Sequence, residues 1–162
     1  MKYRAVVVTV SDKGAAGERA DASGPRLRAM LGKTYEVAEI VVIPDEIDLI
    51  AETIKDQIDR KGIDLVVTTG GTGVGPRDVT PEATRMTIEK DLPGFSEAMR
   101  MESYRVTPFA LISRAVCGIR RQSIVVNLPG SPKAAAECLS FIEAALPHAL
   151  EKVKGDPSEC AQ

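Results

Sequence analysis

An α/β domain built on a mostly parallel sheet is the architecture expected of this 162-residue chain. Short β-branched runs recur at Ala5 to Val10, Tyr35 to Ile43, Asp64 to Thr68 and Ile124 to Leu128, with helical apolar patterns between and after them. The first run lacks the alternation of a half-exposed strand, as expected where both faces of a sheet are covered. The early links are short, which implies βαβ units with parallel strands and right-handed crossovers.

In chain order, Ala5-Val-Val-Val-Thr-Val10 is the first strand, and Ser11 to Asp21, with two glycines, is a loop. Ser23-Gly24-Pro25 opens a helix with a capping hydroxyl and an early proline. Leu27, Met30 and Leu31 share its inner face. The second strand ends at Pro44, and Asp45 is placed to cap a helix whose Ile47, Ile50, Ala51, Ile54 and Ile58 line one side. Arg60, Lys61 and Gly62 close that helix, cations before glycine. Asp64 to Thr68 is the third strand, and Thr80-Pro81-Glu82 begins another helix. Pro93 to Tyr104 reads as a helix with Phe95, Ala98 and Met99 inward. Phe109 to Ser123 reads as short strands around a turn at Gly118, an antiparallel excursion before the last core strand. Ser131-Pro132 opens a final helix carrying Ala135, Cys138, Leu139, Ile142 and Leu146 on one face. Pro147 should kink it by removing a backbone donor and crowding the preceding turn.

The chain fits one domain, large enough to bury roughly two-thirds of its unfolded surface. A net charge of -2 gives no electrostatic reason to expect nucleic acid, whose binders carry a basic patch. Cys117, Cys138 and Cys160 lack the close pairing of a zinc or redox motif and read as reduced thiols, which makes the cytoplasm the expected compartment. Cys138 reads as a small buried hydrophobe. The run Ala5 to Val10 is too short to span a membrane, and no cleavage site follows it. The expected organisation is a single domain over residues 1–154 and a loose tail over 155–162.

In open α/β sheets, ligands bind outside the carboxyl ends of the strands, near a switch in strand order. That places four loops at one edge: Ser11-Asp12-Lys13, Pro44-Asp45-Glu46, Gly70 to Asp78, and Pro129-Gly130-Ser131. The third is the richest. Gly70, Gly71, Gly73 and Gly75 permit tight turns and close approach of backbone to a ligand. Their amides can form an anion-binding concavity. Thr69 and Thr72 add hydroxyls, and the helix starting at Thr80-Pro81 turns its positive end to the same region. A glycine loop alone is equally compatible with a mobile turn. It is neither a Walker loop nor the G-x-G-x-x-G of dinucleotide binders.

Arg77-Asp78 shifts the reading. A carboxylate beside bound phosphate repels it unless a cation lies between, so Asp78 suggests magnesium held by carboxylates and substrate phosphates. Asp45 is the natural second carboxylate, although an N-cap accounts for it equally. Asp78 as a simple turn residue is the competing reading there. The lone His148 reads as a surface or packing residue, and no nucleophile elbow or Cys/His pair is present. Chemistry in which the substrates bring their own nucleophile and leaving group fits best, as in phosphoryl or nucleotidyl transfer.

Val10-Ser-Asp12, Ser23-Gly-Pro25, Val42-Ile-Pro-Asp-Glu46, Thr68-Thr-Gly-Gly-Thr-Gly73, Arg77-Asp-Val-Thr-Pro-Glu-Ala83, Pro93-Gly-Phe95, Ser113-Arg114 and Asn127-Leu-Pro-Gly130 occur in that order. The set resembles the molybdopterin adenylyltransferases, the MogA/MoaB group, which is similar to the G domain of gephyrin and of its plant counterpart. The resemblance runs from about Arg4 to Lys152 and implies a three-layer α/β/α sandwich, usually a homotrimer. It implies magnesium-dependent joining of ATP and molybdopterin, giving adenylylated molybdopterin and pyrophosphate, with handover to a molybdate-insertion protein. The family's paired carboxylates fall on Asp45 and Asp78. Its nucleotide- and pterin-binding segments fall on Ser11, Asp12, the Gly70 to Gly75 loop, Ser113 and the turn Asn127 to Ser131, which includes Pro129 and Gly130. Arg77 suits either a phosphate contact or a carboxylate pairing. The Val74-Gly75-Pro76 stretch matches the family loop in shape rather than residues. The group also holds MoaB-type members that bind molybdopterin or nucleotide without efficient turnover, and the fold also serves as a trimeric interaction module inside larger proteins.

Overall fold

The computed structural model describes residues 2–160. Strand β1 (Arg4–Val10) leads through a one-turn helix α1 (Asp12–Ala15) to α2 (Ser23–Leu31). Then come β2 (Glu36–Ile43), α3 (Ile47–Asp59), β3 (Leu65–Thr69) and α4 (Thr80–Arg85). The short strand β4 (Lys90–Asp91), α5 (Pro93–Val106) and a 3-10 turn over Pro108–Ile112 precede the hairpin of β5 (Cys117–Arg120) and β6 (Ser123–Leu128). Helices α6 (Pro132–Ile142) and α7 (Leu146–Val153) finish the fold.

The sheet order is β2-β1-β3-β6-β5-β4. β1 pairs in parallel with β2 and β3, and β3 with β6, while β5 runs antiparallel between β6 and β4. The chain therefore turns one way from β1 to β2 and the other way to β3, and the switch falls between β1 and β3. Successive residues of each core strand feed opposite cores, because side chains alternate across a sheet. Val7, Val67 and Val126 meet Leu27, Met99, Leu139 and Leu146 from α2, α5, α6 and α7. Val6, Val8, Val66 and Val125 meet Ile50, Ile54 and Ile58 of α3 and Ala83 of α4. This is the three-layer α/β/α sandwich with a mostly parallel sheet.

Local details differ from the sequence reading where a tertiary contact outweighs a local signal. Glu46, not Asp45, occupies the cap position of α3, and the Asp45 carboxylate instead accepts the Asp12 amide at 3.0 Å. At α2 the first-turn amide of Gly24 is taken by Asp21 Oδ1 at 3.0 Å, leaving the Ser23 hydroxyl to donate to Gly130 O at 2.7 Å. The antiparallel excursion is present, but its turn is at Arg121-Gln122, with Arg121 at φ 52. Gly118 lies inside β5, where a Cβ would come within 2.7 Å of Lys90 O on the neighbouring strand. The start of the stretch expected to be strand, Phe109 to Ile112, lies instead in the 3-10 turn, begun by Pro108 with the Thr107 hydroxyl accepting the Phe109 amide. Pro147 stands in the first turn of α7, so the final helix is broken rather than kinked.

After α7, Gly155 to Cys160 are exposed and without regular structure, with Lys152 Nζ donating to Ser158 Oγ at 2.9 Å. The rest of the expected tail lies outside the described residues. His148 is on the surface of α7, near Glu151. Among the described residues no helix is long and apolar enough to cross a membrane.

Ile54 is fully buried between α3 and the sheet. Ile54→Ala is expected to lower unfolding free energy by about 2–5 kcal/mol, through lost transfer energy and the cavity left behind. Urea unfolding followed by circular dichroism checks it.

Candidate functional site

At the end of β3 the chain must pass over the end of β1. Gly70 takes φ 104 and Gly71 φ 66, and a Cβ on Gly70 would overlap the carbonyl of Val10. A Cβ on Gly71 would overlap the Thr80 hydroxyl and come within 2.9 Å of Asp45 Oδ1. Both conformations belong to the region that glycine enters without steric cost. The loop is held from below by Gly70 N donating to Leu128 O (3.1 Å), Thr80 N to Gly71 O (3.1 Å) and Thr80 Oγ1 to Gly70 O (3.0 Å).

Two cavities open on either side of this loop. The first, about 550 Å³, lies at the strand-order switch and is lined by Ser11, Asp12, Asp45, Thr69, Gly70 and Ser131, with Lys13 and Arg19 at its border. The second, about 430 Å³, is lined by Thr72, Gly73, Ser113, Asn127 and Pro129, with Met99, Phe109 and Ile112 giving it an apolar wall. Gly71, Asp78 and Gly130 face both. Of the residues singled out in the sequence, Gly75 and Arg77 line neither cavity.

Asp78 Oδ2 accepts the Gly75 amide at 2.9 Å, closing the loop tip. Asp45 and Asp12 exchange bonds, each carboxylate accepting the other's amide at 3.0 Å. Arg77 donates twice to Asp12, at 3.0 and 3.1 Å, and once to Glu46 at 2.8 Å. The carboxylate pairing is therefore the arrangement found for Arg77, and it ties the loops after β1, β2 and β3 together. Arg77 holds the Asp12 carboxyl below its ordinary value, and Asp12 and then Glu46 push the guanidinium up. Burial pushes Asp45 up, and the charges of Asp12 and Asp78 add to that against the Asp12 amide and Arg77.

The remaining expected residues have definite partners. Ser11 caps α1, its Oγ accepting the Gly14 amide at 3.0 Å. Thr69 Oγ1 donates to Pro129 O at 2.8 Å, joining the third and last loops. Ser131 caps α6. Asn127 is buried: its Nδ2 donates to Thr68 and Thr84 hydroxyls at 3.0 and 2.9 Å, and its Oδ1 accepts the Val116 amide at 3.1 Å. α4 has only six residues, so its dipole is small.

Sequence reasoning selects Ser113 as a site residue and misses its neighbour Arg114. Arg114 reaches the loop through Nε to Gly73 O and Nη2 to Asp78 O, both at 2.7 Å, and through an ion pair with Glu82. The Ser113-Arg114 motif and Glu82 within Arg77 to Ala83 are visible signals, but nothing in their spacing shows that they meet.

The donor set suits a hard cation. Among the described residues, Asp45 Oδ1 and Asp78 Oδ1 accept no protein hydrogen bond. No group of three His, Cys, Asp or Glu residues forms a metal site there. Magnesium at such a place needs oxygens from phosphates as well.

The fold and these cavities define an α/β domain whose candidate site lies at the strand-order switch. Residues 6–148 match the family described as "Probable molybdopterin binding domain", and the chain belongs to that family. It is 40% identical over 158 residues to the molybdopterin adenylyltransferase of Helicobacter pylori strain J99, covering 93% of this chain and 87% of that protein. It is 43% identical over 154 residues to the molybdenum cofactor synthesis protein cinnamon of Drosophila melanogaster, covering 94% of this chain but only 26% of that protein. Among solved structures, the molybdopterin biosynthesis enzyme MoaB of Thermus thermophilus superposes with a TM-score of 0.90 at 45% identity, over 97% of this chain and 99% of the other.

A carboxyl whose value is raised in the folded state stabilises the fold when protonated. That contribution is complete below the unfolded value and lost as pH rises through the folded one. Asp45→Asn keeps an acceptor for the Asp12 amide without the charge. In metal-free buffer at pH 7 the variant should melt above the wild-type protein, with the gap closing as pH falls toward the ordinary 3.8. Thermal unfolding across that pH range checks it.

Proposed function

We propose that this chain catalyses magnesium-dependent adenylyl transfer in molybdenum cofactor biosynthesis, joining the phosphate of molybdopterin to the α-phosphate of ATP. The observation that carries this is the pair of cavities meeting at one wall of Gly71, Asp78 and Gly130. Two substrates seated one in each would bring their phosphates together at that wall. The relatives named molybdopterin adenylyltransferase, which this chain matches over most of its length, support the same reading.

In the reaction a phosphate oxygen of molybdopterin bonds to the α-phosphorus of ATP, and the α–β bond breaks with its electrons leaving on pyrophosphate. The nucleophile is already anionic, so the protein's task is positioning and charge control. The amides of Gly71, Thr72 and Gly73 donate to no protein acceptor among the described residues, and they are the groups that hold phosphate oxygens. Ser11, Lys13 and Arg19 border the first cavity and steady the anionic end of one substrate. Ser113, Asn127 and Pro129 shape the second. Asp45 and Asp78 would hold magnesium, which neutralises the phosphates when bound.

We take residues 1–154 as the working unit and the cytoplasm as its place, in keeping with three unpaired cysteines. We further propose that it assembles as a homotrimer and passes its product to a molybdate-inserting protein. In support of assembly, Met101, Tyr104, Val106, Phe109, Leu111 and Ile112 form an exposed apolar stretch, with Phe109 77% exposed.

Asp78→Asn can still accept the Gly75 amide, so the fold should persist. Pyrophosphate release from ATP and molybdopterin should fall by about a hundredfold or more, a few kcal/mol of transition-state stabilisation. An unchanged rate rejects the metal-ligand role, and a wild-type protein that binds both substrates but forms no product is a carrier instead. For assembly, light scattering should show three copies for the wild-type protein and one for Phe109→Asp; a monomeric wild-type protein excludes the trimer.

A further inference from the structure

We infer that Arg114 is the positioning residue of the glycine loop, fixing its carbonyls on one side so that its amides and the Asp78 carboxylate are presented on the other. This rests on the reading of the loop as a phosphate-holding site.

All peptide bonds among the described residues are trans, and in a trans peptide the carbonyl and the following amide point in opposite directions. Whatever anchors a carbonyl therefore aims the next amide away from itself. Four consecutive loop carbonyls are anchored, and two residues anchor them. Thr80 takes the first two, its hydroxyl donating to Gly70 O and its amide to Gly71 O. Arg114 takes the next two, its amide donating to Thr72 O at 2.8 Å and its Nε to Gly73 O at 2.7 Å. The amides that follow are those of Gly71, Thr72, Gly73 and Val74, and among the described residues none of them has a protein acceptor. A row of free amides is thus the direct counterpart of a row of held carbonyls.

The same guanidinium sets Asp78. Its Nη2 donates to Asp78 O at 2.7 Å, while the Asp78 side chain takes the Gly75 amide. Glu82 of α4 binds the far side of the guanidinium, and Arg114 in turn holds the Glu82 carboxyl below its ordinary value. The planar fork is therefore fixed in orientation, which a lysine's single charged point would not be. Arg114 lines neither cavity, so it acts through the loop rather than on a ligand.

Arg114→Lys retains the backbone bond to Thr72 and the charge opposite Glu82, but loses the simultaneous hold on Gly73 and Asp78. Amide exchange measured by NMR should accelerate about tenfold at Asp78 and Thr80, whose amides bond across the loop, and stay unchanged at Val66 and Val67 in β3. The melting temperature should stay within about 4 °C of the wild-type value. In the adenylylation assay, the magnesium concentration for half-maximal rate should rise about tenfold, with excess magnesium restoring part of kcat. Unchanged exchange at Asp78 and Thr80 overturns the proposal. So does faster exchange across β3 together with a large fall in melting temperature, which would mark a general structural residue. A wild-type protein that makes no adenylylated product overturns the transfer reading alone, and the exchange data still decide the role of Arg114.

Discussion

The backbone of Gly70 passes so close to the carbonyl of Val10 that only a residue without a Cβ fits, and the form of the site follows from that contact. β1 and β3 are neighbours in parallel, so their carboxyl ends emerge side by side. The chain leaving β3 cannot continue straight without losing the shelter of the sheet, nor turn over β1 with an ordinary residue. Two successive glycines at positive φ let it fold back across the end of β1. Their conformational freedom costs folding entropy, and bonds to Leu128 and Thr80 offset it. Once the loop lies there, Asp45 from the neighbouring strand end falls beside Gly71, and one wall comes to serve two cavities.

That placement gathers like charge. Burial raises Asp45 most, and the nearby charges of Asp12 and Asp78 add to that while the Asp12 amide opposes it. Arg77 offsets part of the repulsion by pairing with Asp12 and Glu46, but it stands about half exposed, where such pairs contribute little to stability. Its effect is better described as geometric: from the third loop one guanidinium reaches the first and second, which Asp12 and Asp45 already join. Asp45 remains uncompensated on its Oδ1 side. Under the proposed function, this acidic centre is where a cation would lie.

The sequence made the layers legible because the signals for them are local. Continuous β-branched runs, the apolar face of α3 and the cap at Ser131 each report directly on backbone state. The convergence of four loops also followed, since it depends only on strand direction. What could not be read were choices between partners distant in the chain. Gly118 signals freedom from a Cβ, but whether a turn or a close neighbouring strand needs that freedom depends on β4. Asp45 resembles a cap until Asp12, thirty-three residues earlier, offers its amide. Arg114 meets Gly73 across forty-one residues, and Arg121 adopts positive φ in a turn with no glycine to announce it.

Precision in a site made of loops needs a rigid support, and apolar packing alone supplies position only loosely, because it is nondirectional. Just beneath the loops lies a buried polar layer that is directional. Asn127 bonds Thr68 on β3, Thr84 on α4 and both backbone groups of Val116 ahead of β5. Each of its side-chain groups is satisfied, so the layer strengthens the fold instead of burdening it with unpaired polar atoms. It fixes the register of β3 against β6 and the position of α4 against both. Thr80 and Glu82, the two α4 residues that reach the loop and Arg114, inherit that fixed position. The loop is thus anchored at its start by the Gly70 amide on Leu128 of β6, where it packs over β1, and along its far side through α4. A flexible turn of the same sequence would have neither restraint, and so would lack the held carbonyls that set the direction of its amides.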